Sequence, residues 1–88
     1  MRATLKSGHI AEISEDRQRL SVFYPEGGLA FEVGAPENGN FYLFASHISS
    51  GECPVVSFDP QFAINGWPDW YFRVDVSNHS IERLNPWR

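Results

Sequence analysis

The central part of this sequence has neither lysine nor arginine. All seven cations lie before residue 20 or after residue 72, so the 53 residues from Leu20 to Phe72 are free of them. Because nucleic-acid binding needs a basic patch that neutralises phosphates, this distribution disfavours a nucleic-acid-binding function. The same stretch carries six carboxylates, namely Glu26, Glu32, Glu37, Glu52, Asp59 and Asp69. An anionic surface without compensating cations steers basic molecules toward it, which predicts a basic partner.

Cysteine is nearly absent, since Cys53 is the only one. No internal disulfide can form, and a small domain without disulfides is typical of a reducing compartment. Charged residues recur through the first sixteen positions, and no apolar stretch of signal-peptide or membrane-span length occurs. We therefore expect a cytoplasmic protein without a membrane partner.

Few side chains here are of the types that support catalysis or bind metals. Beyond the acids there are three histidines and Cys53, of which His47 and Cys53 are the nearest pair. A Cys–His pair can activate a thiolate, but zinc sites usually have more ligands at closer spacing. Because cysteine is among the most buried residue types, we interpret Cys53 as a small buried thiol. We expect no enzyme activity, no metal and no cofactor.

Aromatic residues, by contrast, are abundant and concentrated in the cation-free stretch. That stretch holds 12 of the 13 aromatic residues, and only Trp87 lies outside it. A chain of 88 residues forms one domain, 1–88, and buries roughly 60–65% of the surface that its unfolded form exposes. Each aromatic ring buries about 150–250 Å², so these rings can fill a core that has few aliphatic side chains.

The apolar residues alternate with a period of two, which predicts strands. Leu20, Val22 and Tyr24 share one face of a first run, and the segment 70–76 alternates in the same way. The run 41–46 is apolar on both faces and suggests a central strand. Asp59 and the proline after it predict at most one short helix, near 60–65. The expected fold is all-β, or β-dominated α+β, with one small antiparallel meander sheet of five to seven strands, either open or curled toward a barrel.

The segment Trp67-Pro68-Asp69-Trp70-Tyr71 is the most distinctive local cluster. Tryptophan and tyrosine dominate the energetics of protein interfaces, so these rings around a carboxylate suggest a recognition site. The alternative is that the indoles fill the core. We expect a core position for Trp70, which shares a face with Phe72, whereas Trp67 lies in a loop and fits either role. Asp69 is expected at the surface, because burying an unpaired carboxylate is costly.

The closing segment carries a resemblance to a known class of proteins. Trp70-Tyr71-Phe72-Arg73-Val74-Asp75-Val76, a turn at Ser77 to Ser80, Ile81, and Pro86-Trp87 are similar to closing hairpins in several small immunity-protein families. Those families belong to bacterial polymorphic-toxin systems, and the short, acidic, aromatic-rich chain with one cysteine also resembles them. The resemblance covers about a fifth of the chain and transfers no residue role. It implies a cognate toxin, often a basic nuclease, that is neutralised by steric and charge complementarity.

The sequence therefore supports two hypotheses about function. In the first, the cation-free stretch forms one continuous acidic surface that docks a basic toxin, with Trp67 as an exposed anchor; the predicted partner-binding residues are Glu37, Asp59, Trp67, Asp69, Glu26 and Glu52. In this hypothesis Arg2, Lys6 and Arg83 matter little, because their charge has the wrong sign. In the second, the protein is a small carbohydrate- or ligand-binding module that stacks its ligand on Trp67, Trp70 and Tyr71.

Overall fold

Eight antiparallel strands build the protein, which a computed structural model describes over residues 1–88. One short 3₁₀ helix, η1 (Pro60–Phe62), lies between the sixth and seventh strands. The strands are β1 (Arg2–Thr4), β2 (Ile10–Ile13), β3 (Arg19–Phe23), β4 (Leu29–Gly34), β5 (Gly39–His47), β6 (Gly51–Phe58), β7 (Asp69–Asp75) and β8 (Ser80–Pro86).

The strands form two sheets rather than the single sheet predicted from the sequence. Each sheet is a four-stranded antiparallel meander, in the order β1-β2-β3-β4 and β5-β6-β7-β8, and neither is closed into a barrel. The segment 35–38 carries the chain from the first sheet to the second, with Asn38 in the left-handed region at a φ of 66°. Alternation identifies strands but not the sheet to which each belongs, which is why the prediction of five to seven strands in one sheet is wrong.

One core joins the two sheets. It contains 11 buried side chains, with Leu20 and Val22 from β3 and Phe41, Val56 and Phe72 from the second sheet among its members. Phe41, Leu20 and Val22 are the largest of its fully buried side chains. The predicted inward face of 70–76 is confirmed, because Trp70 and Phe72 both belong to this core.

The strand connections collect at two opposite ends of the molecule. At the hairpin end lie four hairpin turns, 5–9, 24–28, 48–50 and 76–79. Here Lys6 Nζ donates to the Ser49 carbonyl oxygen at 3.1 Å. At the loop end lie the turn 14–18, the segment 35–38 and the connection 59–68. There the Phe41 N–H donates to the Arg17 carbonyl oxygen at 2.9 Å, and the Ala35 N–H to that of Gln18 at 2.8 Å.

Two local predictions need correction. The helix near 60–65 is limited to the three residues of η1, and Asp59 occupies its N-cap position without a side-chain capping hydrogen bond. A turn of three residues without a buried side chain cannot sustain an α-helix. The run 41–46 lies in β5, which is an edge strand and not a central one. This run is apolar on both faces because a bulge between Phe41 and Leu43 shifts the side-chain alternation midway along β5.

The central strand β6 pairs with its two neighbours unequally. Against β5 it pairs along its whole length, from Gly51 to Phe58. Against β7 it pairs only at Val55, Val56 and Ser57. Pro54 comes immediately before this short ladder and has no N–H to donate, so the pairing stops there. Toward the hairpin end, β6 and β7 therefore separate.

The position of Gly39 gives a stability prediction. A Cβ at this buried glycine would lie 2.8 Å from Val56 Cγ1 and 3.2 Å from Phe58 Cδ1, both in packed side chains. Gly39→Ala should therefore lower the free energy of unfolding by about 1–3 kcal/mol, as overpacking does elsewhere. Gly34→Ala is the matched control, since its nearest neighbour would be the Gln18 carbonyl oxygen at 3.9 Å. Urea denaturation measures both, and equal stability of the two variants would contradict the tight packing at Gly39.

Candidate functional site

Four of the six predicted partner-binding residues lie together at the loop end. Glu37 and Asp59 are exposed on adjacent segments, which are joined by a hydrogen bond from the Asp59 N–H to the Asn38 carbonyl oxygen at 3.1 Å. Asp69 is the first residue of β7 and pairs with Ser57 of β6. Ser57 precedes Asp59 by two residues along the chain. We call Glu37, Asp59, Trp67 and Asp69, together with Phe62, the loop-end patch.

Two aromatic side chains give this patch an apolar component. Trp67 is 41% exposed and Phe62 is 45% exposed, although both are large apolar residues. The connection that carries them is ordered, because Ile64 and Trp67 exchange backbone hydrogen bonds at 3.0 and 2.9 Å. The Trp67 carbonyl oxygen also accepts a hydrogen bond from Trp70 Nε1 at 2.8 Å. The buried indole of Trp70 thus holds in place the loop that presents Trp67.

The carboxylates of the cation-free stretch have no ion-pair partners. The structure contains three salt bridges, and their carboxylates are Glu12, Asp75 and Glu82, all outside residues 20–72. Of the six carboxylates inside that stretch, Glu32 and Glu52 accept hydrogen bonds from serine hydroxyls. The other four side chains, those of Glu26, Glu37, Asp59 and Asp69, have neither an ion pair nor a side-chain hydrogen bond.

Arginines from both ends of the sequence nevertheless lie at the loop end. The Arg88 guanidinium lies over the Trp67 ring, 4.5 Å from its centroid. Arg17 donates a hydrogen bond from Nη1 to the Tyr42 carbonyl oxygen. The segregation of charge along the sequence is therefore only partly preserved in space. Arg88 covers one face of the predicted anchor, a contact that sequence separation gave no means of anticipating.

The two remaining predicted residues lie at the opposite end of the molecule. Glu26 is exposed in the turn 24–28, and Glu52 is next to the turn 48–50. Both turns belong to the hairpin end, so the structure does not bring Glu26 and Glu52 to the loop-end patch. The six carboxylates accordingly do not form one continuous acidic surface.

The three rings of the alternative, ligand-stacking hypothesis do not form one platform. Trp70 is only 6% exposed and belongs to the core. Arg83 also covers its ring, 4.8 Å from the centroid. Tyr71 lies on the opposite face of β7 and donates its hydroxyl to the Ser46 carbonyl oxygen at 3.2 Å. Of the three, only Trp67 is exposed, and Tyr71 is partly buried.

The hairpin end contains a second candidate site that the sequence analysis missed. A cleft of about 380 Å³ opens between the separated parts of β6 and β7 and is bordered by the turn 5–9. Its charged lining residues are Lys6, Glu52, Arg73 and Asp75. The one available signal in the sequence was Pro54, which interrupts the ladder between β6 and β7. A proline in a β-branched run indicates an interrupted ladder, but not which neighbouring strand loses its partner.

His47 does not form a catalytic pair with Cys53. Nδ1 of His47 accepts hydrogen bonds from the N–H groups of Ser49 and Ser50, each at 3.2 Å. That leaves the proton on Nε2, which lies 2.6 Å from Asn85 Oδ1 and donates to it. With both ring nitrogens engaged, His47 serves to hold the turn 48–50 and to connect β5 with β8.

Comparisons with known proteins identify no relative of this chain. No protein-family model, no curated protein and no solved structure matches it. No group of three or more His, Cys, Asp or Glu side chains in the structure is arranged to hold a metal ion. None of the structure's helices has the length and apolar character needed to cross a membrane.

The environment of Cys53 predicts a pH-dependent stability. Burial, together with the nearby Glu52 carboxylate, raises the pKa of the Cys53 thiol to about 11 from its ordinary value of 9.0. The unfolded chain therefore loses this proton at lower pH than the folded protein does, so stability should fall between pH 9 and 11. A shift of this size corresponds to about 2–3 kcal/mol. Cys53→Ala should lack this part of the decline.

Denaturation of both proteins at a series of pH values measures this difference. Alkylation by iodoacetamide supplies an independent measure, since the thiolate is the reactive form. Folded protein should react far more slowly than a free thiol at pH 8. Rapid alkylation of the folded protein at pH 8 would show that the Cys53 thiol is not buried and that its pKa is not raised.

Proposed function

We propose that this protein is an immunity protein that binds and neutralises a cognate, basic toxin domain through its loop-end patch. The observation that carries the proposal is a group of three carboxylates without ion-pair partners beside exposed aromatic rings: Glu37 and Asp59 are exposed, and Asp69 is half-buried. Two further features support it: the net charge of −4 and the resemblance of the closing hairpin to those of small immunity proteins.

The physical basis is the combination of charge steering with an aromatic anchor. Unpaired carboxylates attract a basic partner over distances of about a Debye length and accelerate association. Protein interfaces gain most of their affinity from a few large side chains, with tryptophan prominent among them. The loop-end patch supplies both on an ordered connection. A cation of the partner can pair with these carboxylates without breaking an internal ion pair, so binding costs the fold little stability.

Neutralisation follows from occupation of the toxin's substrate surface. A nuclease binds its substrate through cations that neutralise phosphates. An acidic patch that docks on those cations competes directly with nucleic acid. The protein then needs no catalytic residue of its own, in keeping with the expectation from sequence.

A charge-reversal series tests where the partner docks. The probe is a basic toxin domain encoded by a neighbouring gene. Glu37→Lys and Asp59→Lys should each slow association with that domain by about tenfold at low salt, because both substitutions oppose electrostatic steering. Raising the salt concentration should shrink the difference. Glu26→Lys is the matched control, since it makes the same charge change on an exposed side chain at the hairpin end. Surface-binding kinetics at two salt concentrations measure all three.

Either of two results would overturn this docking site. One is an equal effect of Glu26→Lys and Glu37→Lys, which would show that only net charge matters. The other is a loss of binding on reversal of Arg2 or Lys6 with none at the patch. If the neighbouring genes encode no basic toxin domain, the immunity function itself fails.

The anchor role of Trp67 has its own test. Trp67→Ala should weaken binding by about 2 kcal/mol or more, mainly through faster dissociation. The hydrogen bond from Trp70 Nε1 ends on the main chain of residue 67, so the substitution preserves it. Tyr24→Ala is the control, because Tyr24 is an aromatic residue of similar exposure, 43%, at the hairpin end. Unchanged dissociation of Trp67→Ala would exclude the indole from the interface.

A further inference from the structure

The cleft at the hairpin end exposes main-chain groups that have no strand partner. The Phe58 N–H donates to the Pro68 carbonyl oxygen, so Phe58 directs its main-chain groups toward β7. Main-chain direction alternates along a strand, and Pro54 and Glu52 therefore face the same side. The ladder with β7 ends at Val55, which leaves the Glu52 N–H and C=O directed into the cleft.

The opposite wall of the cleft is formed by β7, which also has an unpaired strand edge there. β7 continues beyond Tyr71 through Val74 and pairs with β8 on its other side. Val74 packs against the core and lines the cleft, and β6 offers it no partner. Free strand edges are the sites where extended peptides add to sheets through main-chain hydrogen bonds. Two such edges face each other here.

The length of the free edge limits the size of a ligand. The unpaired part of β6 runs from Gly51 to Pro54, and at about 3.3 Å per residue it spans roughly 13 Å. The cleft narrows to ordinary strand spacing at Val55 and Tyr71, which pair directly. It therefore accommodates a peptide of about three residues, and not a through-running strand.

The charged side chains that line the cleft differ in whether they already have ionic or hydrogen-bonding partners. Arg73 is engaged by Asp75 and Glu82, at 3.6 and 3.1 Å. Asp75 also accepts hydrogen bonds from Ser77 and Asn78, and those from Asn78 do most to lower its pKa. Lys6, in contrast, has only the Ser49 carbonyl oxygen as a partner and no carboxylate within salt-bridge distance. It is the cation that remains free to bind an anion at this cleft.

We propose that the cleft binds a short, extended peptide with a free terminal carboxylate. The peptide main chain pairs with the free edges at Glu52 and Val74, and Lys6 holds the carboxylate by a charge-assisted hydrogen bond. Serine hydroxyls from residues 49, 50 and 77 line the cleft and provide further polar contacts. The site lies at the opposite end from the loop-end patch, so it does not depend on the proposed function.

Titration of the isotope-labelled protein with trialanine, followed by amide NMR shifts, tests this site. We expect saturable shifts confined to the cleft, at Gly51, Glu52, Val74 and Ser77, with an affinity of about millimolar. Trialanine amide, which lacks the carboxylate, should bind roughly tenfold more weakly. Lys6→Ala should produce a similar loss for trialanine, and Lys6→Arg should retain binding. Arg2→Ala is the matched control, because it removes one terminal cation outside the cleft and should leave binding unchanged.

Three results would overturn the proposal. Trialanine and its amide binding equally would exclude the carboxylate contact. Acetate alone producing the same shifts would reduce the site to a simple anion contact at Lys6, without strand pairing. Shifts that remain linear in peptide concentration, or that spread over the loop end, would exclude a defined site in the cleft. The dispersed amide spectrum of each variant shows independently that the variant is folded.

Discussion

Packing of the two sheets against one another is the interaction on which the rest of this structure depends. A chain of 88 residues without a disulfide has too little apolar surface to support two separate cores. Leu20 and Val22 of β3 are completely buried in a core cluster that also contains Phe41 and Val56 of the second sheet. The segment 35–38 and the hydrogen bond from Phe41 to Arg17 set this arrangement, since they fix where the second sheet begins relative to the first.

This shared core also decides what the two ends of the molecule can do. Because every strand is antiparallel, the turns alternate between ends, and each end gathers segments that are distant in sequence. At the loop end, the buried Trp70 holds the connection that exposes Trp67. At the hairpin end, the interruption at Pro54 separates β6 from β7, while the turn 5–9 of the other sheet borders the opening. Both candidate sites thus consist of loops and strand ends supported by a rigid interior.

The charge distribution illustrates how folding redistributes a sequence pattern. Along the chain, residues 20–72 are purely anionic; in space, Arg88 returns to Trp67 and Arg17 to Tyr42. The six carboxylates of this stretch nevertheless remain without ion pairs. Arg2 and Arg73 form salt bridges with Glu12, Asp75 and Glu82. The arginines near the aromatic rings contact π faces or carbonyl oxygens instead. The absence of cations from the sequence was therefore a valid sign of unpaired carboxylates, but not of a single acidic face.

The sequence by itself determined most of the strands, their antiparallel pairing and the burial of Trp70 and Cys53, because alternation and side-chain type act locally. It also indicated that Glu37 and Asp59 are exposed, since each lies in a segment rich in proline, glycine or asparagine, but it left Trp67 open between core and surface. Only the tertiary structure decided that there are two sheets, that Glu26 and Glu52 lie far from the other predicted residues, and that a cleft opens beside Lys6. These features depend on which strand edges meet. The alternation of apolar and polar residues specifies which face of a strand is buried. The residues that this face meets across the core are fixed by the path of the whole chain.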